Sequence, residues 1–125
     1  MFGFGELGRY TEKINAEVKM KKHFLCTHTW ATADAREQFL KDTKTVTDRQ
    51  MFEGFKTEKA ELLQNWMGKE DFFYCHWYAE DEDAIFAALD QMGANAIMVS
   101  MPSEMQRYVS SDNFTDRPMV NPDEV

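Results

Sequence analysis

One strand-like stretch, FFYCHWYA at residues 72–79, is rich in aromatic residues on both of the faces that a β-strand would present. Side chains alternate across a strand. The even-numbered positions would share one face: Phe72, Tyr74, His76 and Tyr78. The odd-numbered positions would share the other: Phe73, Cys75, Trp77 and Ala79. Because a sheet with one wet face normally alternates apolar and polar side chains, this stretch predicts a strand that is covered on both sides.

The remaining periodic segments predict the elements around this strand. The predicted strands are 23–30, 60–67, 72–79 and 96–101, and the predicted helices are 34–46 and 81–93. Asp34 and Glu37 have capping-box spacing at the start of the first helix, and Gly93 is placed to end the second. The order strand, helix, strand, strand, helix, strand predicts an α+β, ferredoxin-like βαββαβ fold with an antiparallel four-stranded sheet and central first and third strands.

The chain is interpreted as one domain with an extension at each end. Residues 1–21 are predicted as an N-terminal helical extension, because apolar side chains recur there three or four positions apart. Residues 22–109 form the predicted ferredoxin-like domain, and residues 110–125 form a polar C-terminal tail. Within the domain, residues 47–58 are interpreted as a connection and residues 103–109 as one or two further helical turns after Pro102 ends the last strand.

Charge and composition limit the classes of partner. The formal net charge is −8, and a surface of this sign repels phosphate, so we expect neither nucleic acid nor a membrane as partner. No apolar run approaches the roughly 20 residues of a membrane-spanning helix, and no secretory signal is evident. Cys26 and Cys75 lie in apolar runs without metal-type spacing, so we expect both to be reduced in a cytoplasmic protein. No cofactor is predicted.

The aromatic strand also predicts an assembly. Two helices can cover only one face of a four-stranded sheet, and a monomer would then expose an apolar patch larger than soluble proteins usually tolerate. Stacking two such sheets face to face would bury this surface at roughly 25 cal/mol per Å². The chain itself is therefore the expected partner, in a homodimer.

The pattern QNWMGKEDFFYCHWYAEDEDAIFAAL (residues 64–89) resembles the dimeric α/β-barrel superfamily, and the resemblance extends over about 22–101. Members include cofactor-free monooxygenases, muconolactone isomerases and several small uncharacterised families, and the pattern is most similar to the last of these. The resemblance implies a dimer that holds a small molecule between its facing sheets or between sheet and helices. Haem-degrading members use a first-strand asparagine, a helical tryptophan and a later histidine. This chain has His28, Ala87 and Ala88 at the matching places and no histidine beyond residue 76, which argues against haem cleavage.

Two histidines are the chemical candidates. His28 and His76 each lie in the middle of a predicted central strand, and histidine exchanges protons near neutral pH. If both point to the dimer-facing side, they share a pocket with Tyr74 and Tyr78, and these four are the candidate catalytic residues. The candidate ligand-binding residues are Phe24, Cys26, Trp30, Trp66 and Phe72. The alternative is that both histidines are core residues with satisfied hydrogen bonds.

These residues support three functional hypotheses. The first is a homodimeric protein that binds a small apolar, aromatic or acyl-type molecule in a pocket at the sheet. The second is a cofactor-free monooxygenase or isomerase in which a strand histidine acts as the base and a tyrosine donates to the developing oxyanion. The third is a Ni²⁺- or Zn²⁺-binding protein with two histidines and a cysteine as ligands, although no metal-binding residues are assigned because the spacing matches no known motif.

Overall fold

Four antiparallel strands form a single sheet in the computed structural model, which describes residues 19–125. The strands are β1 (Lys22–Trp30), β2 (Ala60–Met67), β3 (Phe72–Ala79) and β4 (Met98–Met105), and their order in the sheet is β2-β3-β1-β4. The helices are α1 (Ala33–Asp42), α2 (Asp48–Gly54) and α3 (Glu82–Asp90), with short 3-10 turns at Ala94–Ala96 and Pro122–Glu124. The predicted α+β class, the antiparallel pairing and the central β1 and β3 are confirmed. The predicted N-terminal helix lies largely outside the described residues.

Side-chain caps determine where α1 and α3 begin. The Thr32 hydroxyl accepts a hydrogen bond from the Ala35 amide at 3.0 Å, so α1 is capped by Thr32 and not by the predicted Asp34, which lies in the first turn. α1 ends at Asp42, four residues earlier than expected, and the chain turns through Thr43. In α3 the Asp81 carboxylate accepts from the Ala84 amide at 2.8 Å, and a carboxylate at this end also suits the helix dipole.

Two segments differ from the sequence prediction. Residues 47–58 are not simply a connection, because α2 forms within them: the Thr47 hydroxyl accepts from the Gln50 amide while the Gln50 side chain accepts from the Thr47 amide. The second difference is that β4 does not stop at Pro102. It continues to Met105, so the helical turns predicted after Pro102 do not form. An edge strand tolerates proline because one side of its backbone needs no strand partner.

One side of the sheet, which we call the helix face, carries the core. It bears Phe24, Cys26, His28 and Trp30 of β1 and Phe73, Cys75, Trp77 and Ala79 of β3. The buried side chains of α3 pack here: Ala84, Ile85, Ala88 and Leu89. α2 contributes Met51 and Phe52, and α1 contributes Phe39, whose ring centroid lies 4.9 Å from that of Trp30. Complete burial of a side chain such as Ile85 contributes about 1.5–3 kcal/mol.

Among residues 19–125 no helix covers the other side of the sheet, which we call the open face. It bears His23, Leu25, Thr27 and Thr29 of β1 and Phe72, Tyr74, His76 and Tyr78 of β3. The chain itself covers one end of this face. Tyr108, which comes after β4, packs against His23 of β1 and His76 of β3, and its hydroxyl contacts Gln64 of β2. The other end, which we call the uncovered half, remains exposed.

Candidate functional site

The strand register separates the residues that the sequence analysis grouped into one pocket. His28 pairs with Phe73 across β1 and β3, whereas His76 pairs with Leu25. The helix face therefore holds His28 with Phe24, Cys26 and Trp30, and the open face holds His76 with Phe72, Tyr74 and Tyr78. The two candidate histidines lie on opposite sides of the sheet, so the condition for a shared pocket is not met.

His28 is a core residue. It has no solvent exposure, its ring stacks on Phe73 at 4.7 Å, and its Nδ1 lies 2.7 Å from Oγ of Ser100 on β4. Its Nε2 is buried and has no hydrogen-bond partner in the part of the chain that the structure describes. Burial disfavours the charged imidazolium and lowers the pKa of His28 to about 4. A neutral imidazole enclosed in this way has no access to a bound substrate.

Cys26 and Cys75 face each other across β1 and β3 on the helix face, and both are buried free thiols. Burial, with a smaller contribution from Cys75, raises the pKa of Cys26 to about 12, and burial raises the pKa of Cys75 to about 11. Asn65 also donates to the Cys75 sulfur at 3.3 Å. Because the thiolate is the nucleophile and the metal ligand, these cysteines behave as core residues.

A second histidine pairs with His76 on the open face. Nδ1 of His23 lies 2.9 Å from Nε2 of His76, so one ring donates a hydrogen bond and the other accepts it. Tyr108 lies over both rings, with centroid separations of 5.0 Å to His23 and 4.4 Å to His76. Its hydroxyl accepts from the Gln64 side chain at 3.1 Å. We call His23, His76 and Tyr108 the histidine cluster.

Two members of this cluster were not among the predicted site residues. His23 lies in the predicted first strand, but only the register and its contact show that it lies near His76. Tyr108 was assigned to a helical turn that does not form. Burial lowers the pKa of His23, and burial followed by the neighbouring His23 lowers that of His76. The pair is therefore neutral at pH 7, with one imidazole orienting the other.

A recess of about 180 Å³ lies beside the histidine cluster. Its walls are mostly apolar or aromatic, and its lining residues are His23, Phe24, Leu25, Trp66, His76, Met105, Arg107 and Tyr108. Trp66, a predicted ligand-binding residue, reaches the open face from β2, where it pairs with Tyr74. The recess thus joins a few polar groups to apolar walls, which is the usual composition of a small-molecule site.

The uncovered half of the open face adjoins this recess. Its large apolar side chains are roughly half exposed: Trp66 49%, Phe72 54%, Tyr74 42%, Val99 53% and Met101 51%. Thr27 lies between Tyr74 and Met101 in the register, and Thr29 lies between Phe72 and Val99. These residues come from all four strands and form one continuous patch.

A separate cleft of about 550 Å³ opens on the helix side, between α1, α2 and the segment after α3. Phe39, Leu40, Met51, Phe55 and Met92 contribute its apolar walls. None of the predicted catalytic or ligand-binding residues lines it. This cleft and the recess beside the histidine cluster are therefore two distinct places.

Metal coordination finds no support within residues 19–125, where no group of three or more histidine, cysteine, aspartate or glutamate side chains is placed to hold an ion. In the same part of the chain no helix is long and apolar enough to span a membrane. Comparison with family models, curated proteins and solved structures found no match to the chain.

Proposed function

We propose that the chain forms a homodimer through the uncovered half of the open face and binds a small apolar or aromatic molecule in the recess beside the histidine cluster. The observation that carries this proposal is the position of the recess: an apolar-walled hollow with two imidazoles lies next to a continuous apolar patch that none of the described helices covers. The finer fold assignment, a ferredoxin-like domain in a dimeric α/β barrel, belongs to the same proposal.

The sheet supports that fold assignment. The order β2-β3-β1-β4 with antiparallel pairing is the order that the split βαβ arrangement requires. α3 and its neighbours pack on the helix face and not on the open face. In a dimeric barrel of this kind the free faces of two sheets meet.

The energetics favour association through the uncovered half. Covering the exposed half of a large apolar side chain contributes on the order of 1 kcal/mol, and five such side chains lie together here. Within the patch β1 contributes Thr27 and Thr29 and no charged residue. The charged neighbour is Glu70 of the β2–β3 turn, which lies at the edge of the patch beside Trp66 and Phe72 and can stay hydrated. A symmetric dimer uses the same patch on both copies.

Sedimentation velocity tests the assembly. We expect the chain to sediment as a dimer at micromolar concentration and Phe72→Asp to sediment as a monomer, because a carboxylate enclosed in an apolar contact loses its hydration. The matched control is Phe114→Asp, which places the same charge on an exposed phenylalanine beyond β4. A monomeric native chain, or a Phe72→Asp variant that stays dimeric, contradicts the proposed assembly.

Toluene titration tests the ligand site. We expect toluene to shift the ring-proton NMR signals of His23 and His76, because both rings line the recess. The control signal is that of His28, which is buried on the opposite side of the sheet. If toluene shifts only the methyl signals of residues that line the helix-side cleft, then it binds in that cleft and the proposed site in the recess is wrong.

The hydrogen bond between His23 and His76 favours a second candidate function, a cofactor-free enzyme in which His76 is the base. A base oriented by a second group is the usual arrangement in proton-transfer sites, and a lowered pKa keeps the ring unprotonated near neutral pH. His76 is favoured over His28 for this role because His76, although only 6% exposed, lines the recess, whereas His28 is fully buried on the helix face.

Deuterium exchange at the acidic carbon of a 1,3-dicarbonyl compound tests this second function without a known substrate. We expect the protein to accelerate the exchange, followed by NMR in D₂O, and His76→Gln to remove the acceleration. His28→Leu is the control that should retain it, once circular dichroism shows that both variants are folded. Equal acceleration by native chain and His76→Gln excludes His76 as the base.

A further inference from the structure

Arg107 lines the recess but has no acidic partner within the described residues. The ion pairs found in residues 19–125 join Lys19 to Asp81 and Lys22 to Glu104, and none involves Arg107. The Arg107 side chain also makes no hydrogen bond in this part of the chain, although it stands at an apolar recess in a protein whose net charge is −8. Within residues 19–125, the exposed Arg107 guanidinium thus stands beside a hollow without a carboxylate partner and is available to a ligand.

From this arrangement we infer that the recess binds a single-ring aromatic carboxylate, with the ring against the apolar walls and the carboxylate on Arg107. The inference rests on the proposed function, since it specifies the ligand of the same recess. Guanidinium binds carboxylate through two parallel hydrogen bonds, which gives both strength and orientation.

The size of the recess selects a single ring. Its volume is about 180 Å³, and an apolar protein cavity of about 150 Å³ is large enough to bind benzene. A fused or elongated ring system would extend beyond this volume towards the uncovered half. The recess alone therefore holds a benzene ring with one small substituent.

The neighbouring groups favour an anionic substituent. Lys21 lies 6.0 Å from the centroid of the Tyr78 ring, and the Tyr78 ring lies 4.9 Å from that of His23, so a second cation stands at this end of the sheet. Glu61 of β2 pairs with Tyr78 of β3 at this end of the open face, but it does not line the recess. In the neutral His23–His76 pair one ring N–H is used in the mutual hydrogen bond, and the other is left to donate to a carboxylate oxygen.

Calorimetric titration with benzoate and with its neutral isostere benzamide, at pH 7.5 and low salt, tests the inference. We expect benzoate to bind the native chain at least tenfold more tightly than benzamide, which is the size of effect expected from a charge-assisted hydrogen-bond pair. In Arg107→Gln the ratio should fall to within about twofold, while benzamide affinity stays unchanged. The matched control is Arg117→Gln, which removes the same charge from an exposed residue of the tail and should preserve the ratio.

The outcomes separate this inference from the proposed function. Binding of both compounds with equal affinity, or a ratio that survives Arg107→Gln, overturns the carboxylate inference and leaves the recess as an apolar site. Failure of toluene, benzamide and benzoate alike overturns the proposed function and the inference with it. Arg107→Lys provides a second variant: it keeps the charge but not the paired hydrogen bonds, so benzoate should bind with intermediate affinity.

Discussion

Replacing His28 with leucine and Ser100 with alanine removes a buried imidazole and its hydrogen-bond partner in one step. Both partners of the 2.7 Å hydrogen bond are removed together, so neither side chain is left with an unsatisfied buried polar atom. The native imidazole has its pKa lowered to about 4 by burial, against the ordinary value of 6.5. Each tenfold change in proton affinity corresponds to about 1.4 kcal/mol, so protonation of His28 costs about 3 kcal/mol more in the folded chain than in the unfolded chain.

The direction of the pH effect follows from proton binding. Between pH 6.5 and pH 4 the unfolded chain holds the His28 proton and the folded chain does not, so acidification stabilises the unfolded chain. The free energy of unfolding should therefore be at its full value above pH 6.5 and fall as the pH drops, by up to about 3 kcal/mol at pH 4 from this residue alone. His23 and His76 contribute in the same direction, since their pKa values are also lowered.

Urea unfolding at a series of pH values from 4 to 8, followed by tryptophan fluorescence, measures this dependence. We expect the native chain to lose more stability than the His28→Leu/Ser100→Ala variant as the pH falls, and the difference between the two curves isolates His28. The companion variant His76→Leu should leave the His28 contribution in place. Parallel curves for the native chain and the double variant would show that His28 does not titrate differently in the folded and unfolded chains, and the reasoning from burial would be refuted.

Three further predictions follow from local geometry. Gly93 has a φ of 68°, so Gly93→Ala should lower the free energy of unfolding by about 1 kcal/mol, whereas Gly68→Ala, with open space around its Cβ position, should change it little; equal effects in urea unfolding would contradict this. Thr47→Ala removes the capping box of α2 and should cost about 1 kcal/mol in the same assay. Cys26 and Cys75 should resist a thiol-specific disulfide reagent at pH 8 in the folded chain and react fully in urea, because burial raises both pKa values; rapid reaction of the folded chain would disprove their burial.

The strands were predictable because their side-chain chemistry is strongly biased. The aromatic segment of β3 and the apolar segment of β1 predicted the two central strands. The GKED segment (residues 68–71) is a turn-like sequence between the predicted strands 60–67 and 72–79, where the structure has the β2–β3 connection. α2 was missed because Gly54 and its polar neighbours suggested a loop, although the Thr47 and Gln50 pair was a readable start signal. The extension of β4 was missed because proline normally ends a strand, and only an edge position removes that restriction.

The composition of the site was less predictable than the fold, because it depends on register. Alternation along β1 and along β3 shows which residues of each strand point the same way. It does not show which residues of β1 share a face with which residues of β3, because a one-residue shift in register reverses that pairing. The predicted pocket combined His28 and His76 on the condition that both point to the same side of the sheet. His23 and Tyr108 join His76 through contacts between residues distant in sequence, and no local pattern signals such contacts.

Tyr108 has a consequence for how two copies would share the sheet. By covering the end of the open face that bears His23 and His76, it would leave a second copy only the end that bears Tyr74 and Met101. Trp66 belongs to that contact surface and also to the wall of the recess. A docked copy would therefore border each recess, and filling a recess would change how strongly the two copies associate.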